Sequence, residues 1–135
     1  MTITLKTEYS MRALIALAEN GTEKPLSVAQ ICKKQKLPLK FIEQLFSKLR
    51  KKELITSVRG KYGGYILARP ASEITMKDII LAAGDELLDL FCETGNKYCL
   101  HDDGCNVNEL WIKIALHFNE YFSEITLEHI VKKYR

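Results

Sequence analysis

Apolar residues recur at helical spacing in two segments at the start of the chain. In the first, they lie three or four positions apart from Met11 to Ala18, and Gly21 follows where a helix commonly ends. The second begins after Ser27, which forms a capping-box pattern with Gln30, and its apolar positions define one inward face. The pattern therefore predicts two helices, of which the second is short.

A third helix and a hairpin follow these two segments. Pro38 interrupts the chain, and apolar residues then recur from Ile42 to Leu49, which predicts a helix that ends near Lys52. The next segment, LITSVRGKYGGYILARP, has β-branched and aromatic residues on both sides of a glycine-rich centre, as in a two-stranded hairpin with residues 59–64 at its tip. Three helices, the last two joined by a tight turn, and a basic-tipped hairpin predict a winged helix-turn-helix.

The C-terminal part contains three further predicted helices. The first opens at Thr75 with a second capping-box pattern and ends at Gly84. A domain this small cannot cover the long apolar stripe of the next helix, so we expect part of that stripe to form a dimer arm. Thr126 begins the last short helix. The predicted fold class is mainly α with a small β-hairpin wing: a winged helix-turn-helix plus a long C-terminal dimerisation helix. The stripe consists of Val107, Leu110, Trp111, Ile114, Ala115, Phe118, Phe122 and Ile125.

Length and charge add a division into two regions. The 135 residues, 47% of them hydrophobic, predict one compact domain. Residues 1–70 contain 14 Lys and Arg against 5 Asp and Glu, whereas residues 71–135 contain 6 against 12. We therefore expect a DNA-binding winged helix-turn-helix region and then a cysteine-loop and dimerisation region, although charge alone leaves ordinary solvated surface as an alternative. The absence of a membrane-length apolar run and of a signal-peptide pattern predicts a cytoplasmic protein.

Outward side chains of the third helix are the first candidates for DNA contact, because the second helix of a helix-turn-helix lies in the major groove. Gln44 can pair with adenine and Glu43 can accept from cytosine, while basic residues suit phosphates. The hairpin tip could enter the adjacent minor groove, where a narrow width favours Arg. Tyr62 and Tyr65 are expected to pack the wing. The candidate DNA-binding residues are Lys40, Glu43, Gln44, Lys48, Arg50, Arg59 and Lys61.

The segment FCETGNKYCLHDDGCN places Cys92, Cys99 and Cys105 close together. A disulfide would leave one cysteine over and is unusual in a reducing compartment, and the spacing is wider than zinc sites commonly use. No motif supplies the His and acid partners of a nucleophilic cysteine, so we predict that the protein is not an enzyme. Iron-sulfur clusters are held by thiolates and can include other ligands, so they suit this wide spacing.

Cys32 lies on an apolar helix face and is expected to be a small buried side chain.

Several stretches together resemble the IscR, NsrR and CymR type of bacterial transcription regulator, the Rrf2 family. They are FIEQLFSKLRKKELITSVRGKYGGYILARP, EITMKDI, the three-cysteine segment and a C-terminal EITLEHI, and the resemblance runs from about Leu5 to Val131. It implies a homodimeric winged-helix protein whose long C-terminal helices cross, which binds palindromic operators in double-stranded DNA and commonly represses. The resemblance also implies that Glu43, Gln44 and Arg59 occupy DNA-reading positions.

The resemblance further implies an iron-sulfur cluster, because the three cysteines match the ligands of the cluster-bearing branch in turn. Relatives that regulate iron-sulfur assembly have a histidine three residues after the last cysteine, where this chain has Asn108, which we expect to be an exposed helix residue. The fourth ligand is then Glu8 of the partner subunit, at a position where nitric-oxide-sensing relatives supply an acid. His101 within the loop is the less favoured alternative.

These ligands are compatible with either cluster type, of which the two-iron form (2Fe-2S) is favoured and the four-iron form (4Fe-4S) is the alternative. Loss, oxidation or nitrosylation of the cluster is expected to release the loop from the first helix and so change operator affinity. The alternative function is a winged-helix regulator without a cluster, which responds through thiol redox chemistry or a protein partner.

Overall fold

The computed structural model describes residues 3–87 and 105–133, which form helices and one two-stranded antiparallel hairpin. The order of elements agrees with the predicted winged helix-turn-helix, and the fold is mainly helical. The elements are α1 Leu5–Asn20, α2 Val28–Gln35, α3 Leu39–Lys51, β1 Ile55–Val58, β2 Gly64–Leu67, a 3-10 turn Ala71–Glu73, α4 Met76–Ala83, α5 Asn106–Glu124 and α6 Leu127–Lys133.

Side-chain caps define the predicted helix starts. Ser27 and Gln30 form the expected capping box at α2, with hydrogen bonds of 2.8 and 3.2 Å between each side chain and the other residue's backbone N–H. Thr75 and Asp78 do the same at α4, at 2.9 and 3.1 Å. The α2 helix ends at Lys36, which adopts a left-handed φ of 55° that glycine would adopt without strain.

One hydrophobic core joins the winged-helix elements to the C-terminal part. Phe46 of α3 lies fully buried near its centre, and its ring contacts Tyr65 of β2 edge to face with centroids 4.9 Å apart. Ile79 of α4 and Leu127 of α6 belong to the same buried cluster. Cys32 is buried on the inward face of α2, as predicted. The α4 helix, which precedes the cysteines in the chain, is therefore held in place by its packing against α1 and α3.

The hairpin is fixed to the segment that precedes α2. Leu26 and Tyr65 exchange two backbone hydrogen bonds of 3.1 and 2.8 Å, so Leu26 extends the hairpin by one bridge. A side chain at Gly64 would place its Cβ 2.2 Å from the Leu26 carbonyl oxygen, and this position therefore requires glycine. The wing thus has a fixed position beside the start of α2.

The N-termini of α4 and α6 pair with each other. The Met76 N–H donates to the Ile125 carbonyl and the Leu127 N–H donates to the Ile74 carbonyl, each at 2.8 Å. Each bond satisfies a first-turn N–H that has no partner within its own helix. The C-terminal end of α5 is therefore anchored at the start of α4.

The α5 helix differs from every helix of the winged-helix part, because none of its 19 residues is buried. Its length agrees with the predicted long helix. No helix within residues 3–87 and 105–133 has the length and apolar character needed to cross a membrane. The large exposed apolar residues of α5 are Val107, Leu110, Trp111, Ile112, Leu116, Phe118 and Tyr121.

Candidate nucleic-acid interface and metal site

The polar face of α3 lies in solvent because the apolar face is held in the core. Ile42, Phe46 and Leu49 are buried, which fixes the rotation of the helix about its axis. The side chains between them are therefore all presented on one accessible face, and basic residues in the last turn complement the negative end of the helix dipole. The exposed candidates on this face are Lys40, Glu43, Gln44, Lys48 and Arg50.

The wing tip presents the two remaining candidates, Arg59 and Lys61, which are both exposed. Its turn is closed by a hydrogen bond of 3.0 Å from the Gly63 N–H to the Gly60 carbonyl. Tyr62 is 82% exposed, and the Lys61 ammonium lies 5.6 Å from its ring centroid. The prediction that Tyr62 packs the wing was therefore wrong, because most of its side chain lies in solvent.

Of the predicted metal ligands, only Cys105 and Glu8 lie among the described residues. Cys105 is a half-buried free thiol at the N-cap of α5. Cys92, Cys99 and His101 lie outside the described residues. Within residues 3–87 and 105–133, no three His, Cys, Asp or Glu side chains come together as a metal site.

Asn108 follows Cys105 by one helical turn and is half-buried rather than exposed as expected. Its side-chain oxygen has no accessible surface and no hydrogen-bond partner among the described residues. A buried amide oxygen without a partner is uncommon in folded proteins. Sequence reasoning missed this burial because the helix periodicity alone does not show what covers the first turn of α5.

Glu8 lies in the first turn of α1 and keeps 45% of its side chain exposed. Its carboxylate accepts a hydrogen bond of 2.7 Å from Arg12 Nε one turn further along the helix. Exposed pairs of this kind contribute only about 0.3–0.5 kcal/mol. The Glu8 carboxylate could therefore leave Arg12 and bind another group at a small cost in free energy.

Asp85 is a buried carboxylate that sequence reasoning did not identify. It accepts hydrogen bonds from the Thr4 N–H at 3.0 Å, the Thr4 hydroxyl at 2.8 Å and the Thr7 hydroxyl at 2.6 Å, and Lys6 Nζ lies 3.7 Å away. Burial by itself raises the pKa of Asp85, but these hydrogen bonds and the Lys6 charge outweigh it and lower the pKa below the ordinary value. Asp85 thereby ties the first turn of α1 to the end of α4.

The buried thiol of Cys32 has a different chemical character from a metal ligand. Burial, together with the negative charge of Glu43, raises the pKa of Cys32. The thiol therefore stays protonated and unreactive, in agreement with its predicted packing role.

Comparisons with known proteins identify similar transcriptional regulators over nearly the whole chain. The family model of Rrf2, described as an iron-dependent transcriptional regulator, matches residues 3–133. The transcriptional regulator IscR of Photorhabdus laumondii is 37% identical over 131 residues, which cover 97% of this chain and 79% of the relative. Both names describe transcriptional regulators and not enzymes.

Solved structures show the same fold. The structure of B. subtilis CymR, described as the global cysteine regulator, superposes with a TM-score of 0.82 at 32% identity and covers 98% of both chains. T. potens IscR superposes with a TM-score of 0.77, also at 32% identity, over 100% of this chain and 89% of the other. The chain therefore belongs to the Rrf2 family of transcriptional regulators.

Proposed function

We propose that this regulator is a homodimer whose affinity for a palindromic DNA operator is controlled by an iron-sulfur cluster bound to Cys92, Cys99 and Cys105. It acts as a repressor in this proposal and serves as a redox or nitric oxide sensor. The iron-dependent character of the family model and the similarity to IscR proteins support it.

The observation that carries the proposal is the position of Cys105 at the N-cap of the long α5 helix. Helix N-termini favour anionic groups, and soft thiolates are the ligands that iron-sulfur clusters use. The buried Asn108 oxygen beside it lacks a partner among the described residues, so a polar group fits there. When bound, the cluster supplies chemistry that responds to oxidants and nitric oxide.

The fourth ligand in this proposal is Glu8 of the partner subunit, with His101 as the less favoured candidate. Among the residues that the structure describes, Arg12 is the side chain that bonds the Glu8 carboxylate, and Asp85 fixes the turn on which Glu8 lies. A ligand from the partner would couple the state of the metal site to the relative position of the two subunits.

The dimer in this proposal is formed by α5. The face of α5 that includes Ile114, Phe118 and Tyr121 lines an apolar groove of about 550 Å³. Exposed apolar surface of this kind marks a contact with another chain, and a second copy presents the same face. The two winged-helix parts then bind the two half-sites of one operator.

DNA contact in this proposal combines α3 and the wing. Gln44 pairs with adenine and Glu43 accepts from cytosine in the major groove, while Arg59 reaches the minor groove. Lys40, Lys48, Arg50 and Lys61 contact phosphates or groove edges, so binding falls steeply with salt. We expect Gln44→Ala and Arg59→Ala each to weaken operator binding without unfolding the protein.

The visible spectrum of protein purified without oxygen, together with its iron and sulfide content, tests the cluster. Cys105→Ser is expected to abolish the colour, whereas the control Cys32→Ala keeps it because Cys32 is buried in the winged-helix core. Wild-type protein that stays colourless and iron-free after reconstitution would overturn the proposal. Glu8→Ala and His101→Ala then identify the fourth ligand by their spectra.

A second candidate is a regulator without a cluster, which responds through its thiols or a protein partner. The close superposition on CymR favours it, since CymR is described as a cysteine regulator and a structure of S. aureus CymR is described as an oxidized form. In that case, iron-free protein changes its DNA affinity on mild oxidation, and Cys105→Ser abolishes the change.

A further inference from the structure

A groove of about 570 Å³ lies between the wing tip and the segment that leads into α2. Two lysines contribute to it from opposite sides, and the exposed Tyr62 stands at its edge. Ser27 and Gln30 also line it, but their side chains already bond within the capping box. The lining residues are Glu23, Lys24, Pro25, Ser27, Gln30, Lys61, Tyr62 and Gly63.

The two walls of this groove are held at a fixed separation. The backbone hydrogen bonds between Leu26 and Tyr65 join the two chain segments that carry these walls, and Gly64 allows their close approach. At the wing tip, a Cβ on Gly63 would lie 2.3 Å from the Val58 carbonyl oxygen, so the turn is compact. A ligand therefore meets a preformed groove rather than two independent loops.

The position of the groove matches the course of a DNA strand. If the exposed face of α3 enters the major groove and the wing tip enters the adjacent minor groove, one sugar-phosphate strand separates the two. That strand must cross the protein between the helix-turn-helix and the wing tip. The described groove lies between the start of α2 and the wing tip, with Lys24 on one wall and Lys61 on the other.

We propose that this groove holds one sugar-phosphate strand of duplex DNA, which Lys24 and Lys61 contact by charge and Tyr62 contacts through its hydroxyl. The proposal rests on the DNA binding proposed above and adds Lys24 and Tyr62 to the interface. Contacts to phosphates set position and affinity but carry no base sequence. Glu23 on the same lining opposes the strand and limits its affinity.

Fluorescence anisotropy with a random-sequence duplex between about 50 and 200 mM salt tests the groove, because phosphate contacts do not require the operator. Lys24→Ala should weaken binding about three- to tenfold and reduce the slope of log K against log salt by about one per protomer. Tyr62→Phe should weaken binding about two- to threefold with an unchanged slope, since a neutral donor displaces no counterion. Glu23→Gln should tighten binding.

The matched control is Lys33→Ala, which removes the same charge from the exposed last turn of α2, outside the groove lining. Equal salt slopes for Lys24→Ala and Lys33→Ala would overturn the groove as a phosphate site, and an unaltered affinity of Tyr62→Phe would overturn the hydroxyl contact. If the wild-type protein binds no duplex at all, the proposed DNA binding itself fails. Circular dichroism confirms that each surface variant is folded.

Discussion

The winged-helix part buries its large apolar side chains, whereas α5 exposes them. Large side chains of α3 such as Phe46 and Leu49 have almost no accessible surface, whereas Val107, Leu110 and Tyr121 of α5 are each more than half exposed. The winged-helix part thus has a closed core, whereas the apolar face of α5 is not covered by the described residues. We expect the free energy of unfolding of the winged-helix part to depend on packing within the chain. We expect the exposure of the apolar face of α5 to depend on association with a second chain.

Phe46→Ala should have the largest effect, because it opens a cavity in the closed core. We expect the free energy of unfolding to fall by about 3–5 kcal/mol. Urea denaturation at a single protein concentration measures this loss. A loss below about 1 kcal/mol, typical of a surface substitution, would contradict the comparison between a closed core and an open helix.

Ile114→Asp should act on association instead of folding. A charge in the apolar groove of α5 is expected to raise the dissociation constant of the proposed dimer at least a hundredfold, which corresponds to about 2.7 kcal/mol, with helix content retained. Sedimentation equilibrium measures the constant. Leu116→Asp is the control, because Leu116 is exposed on α5 but does not line the groove. Equal effects at both positions would argue against this face as the interface.

Asp85→Asn should lower the free energy of unfolding by about 2 kcal/mol at neutral pH, since a charged acceptor of three hydrogen bonds is lost from a buried position. The folded pKa of Asp85 lies below its unfolded value, so its stabilisation is present above the unfolded pKa and is lost as pH falls through the folded pKa.

Urea midpoints between pH 2 and pH 7 test this dependence. The wild-type protein should lose more stability than Asp85→Asn as the solution becomes acidic. Thr7→Val removes one donor and leaves the carboxylate ionised, so it should give an intermediate loss. Parallel pH curves for wild type and Asp85→Asn would show that the carboxylate does not contribute in this way.

Lys36→Gly should give the smallest effect, and it should be stabilising. Lys36 ends α2 with a left-handed φ of 55°, which costs a non-glycine residue free energy, so we expect a gain of about 0.5–1 kcal/mol. Lys33→Gly within α2 is expected to lose about the same amount, because glycine is a poor helix former. Thermal denaturation of both variants compares the two signs directly.

Features set by neighbours in sequence were predictable, and features set by distant contacts were not. The capping boxes at Ser27 and Thr75 and the wing turn depend on residues a few positions apart. Asp85 and Thr4 are 81 positions apart, so no local pattern pairs them. Similarly, the exposure of Tyr62 and the burial of Asn108 depend on how whole elements pack. The three cysteines were recognised as a group from their spacing and from the family resemblance. The expectation that Asn108 is a helix residue already placed Cys105 near the start of α5, whereas the half-burial of Cys105 required the fold.

Through the backbone bridge between Thr75 and Thr126, α5 is held at its C-terminal end. Its C-terminal end is hydrogen-bonded to the start of α4, while Cys105 stands at the opposite end, about 28 Å away for 19 residues. A tilt of about 10° around the bridge would therefore displace the Cys105 end by about 5 Å. Conversely, a displacement of that size at Cys105 would correspond to a rotation of only about 10° at the bridge.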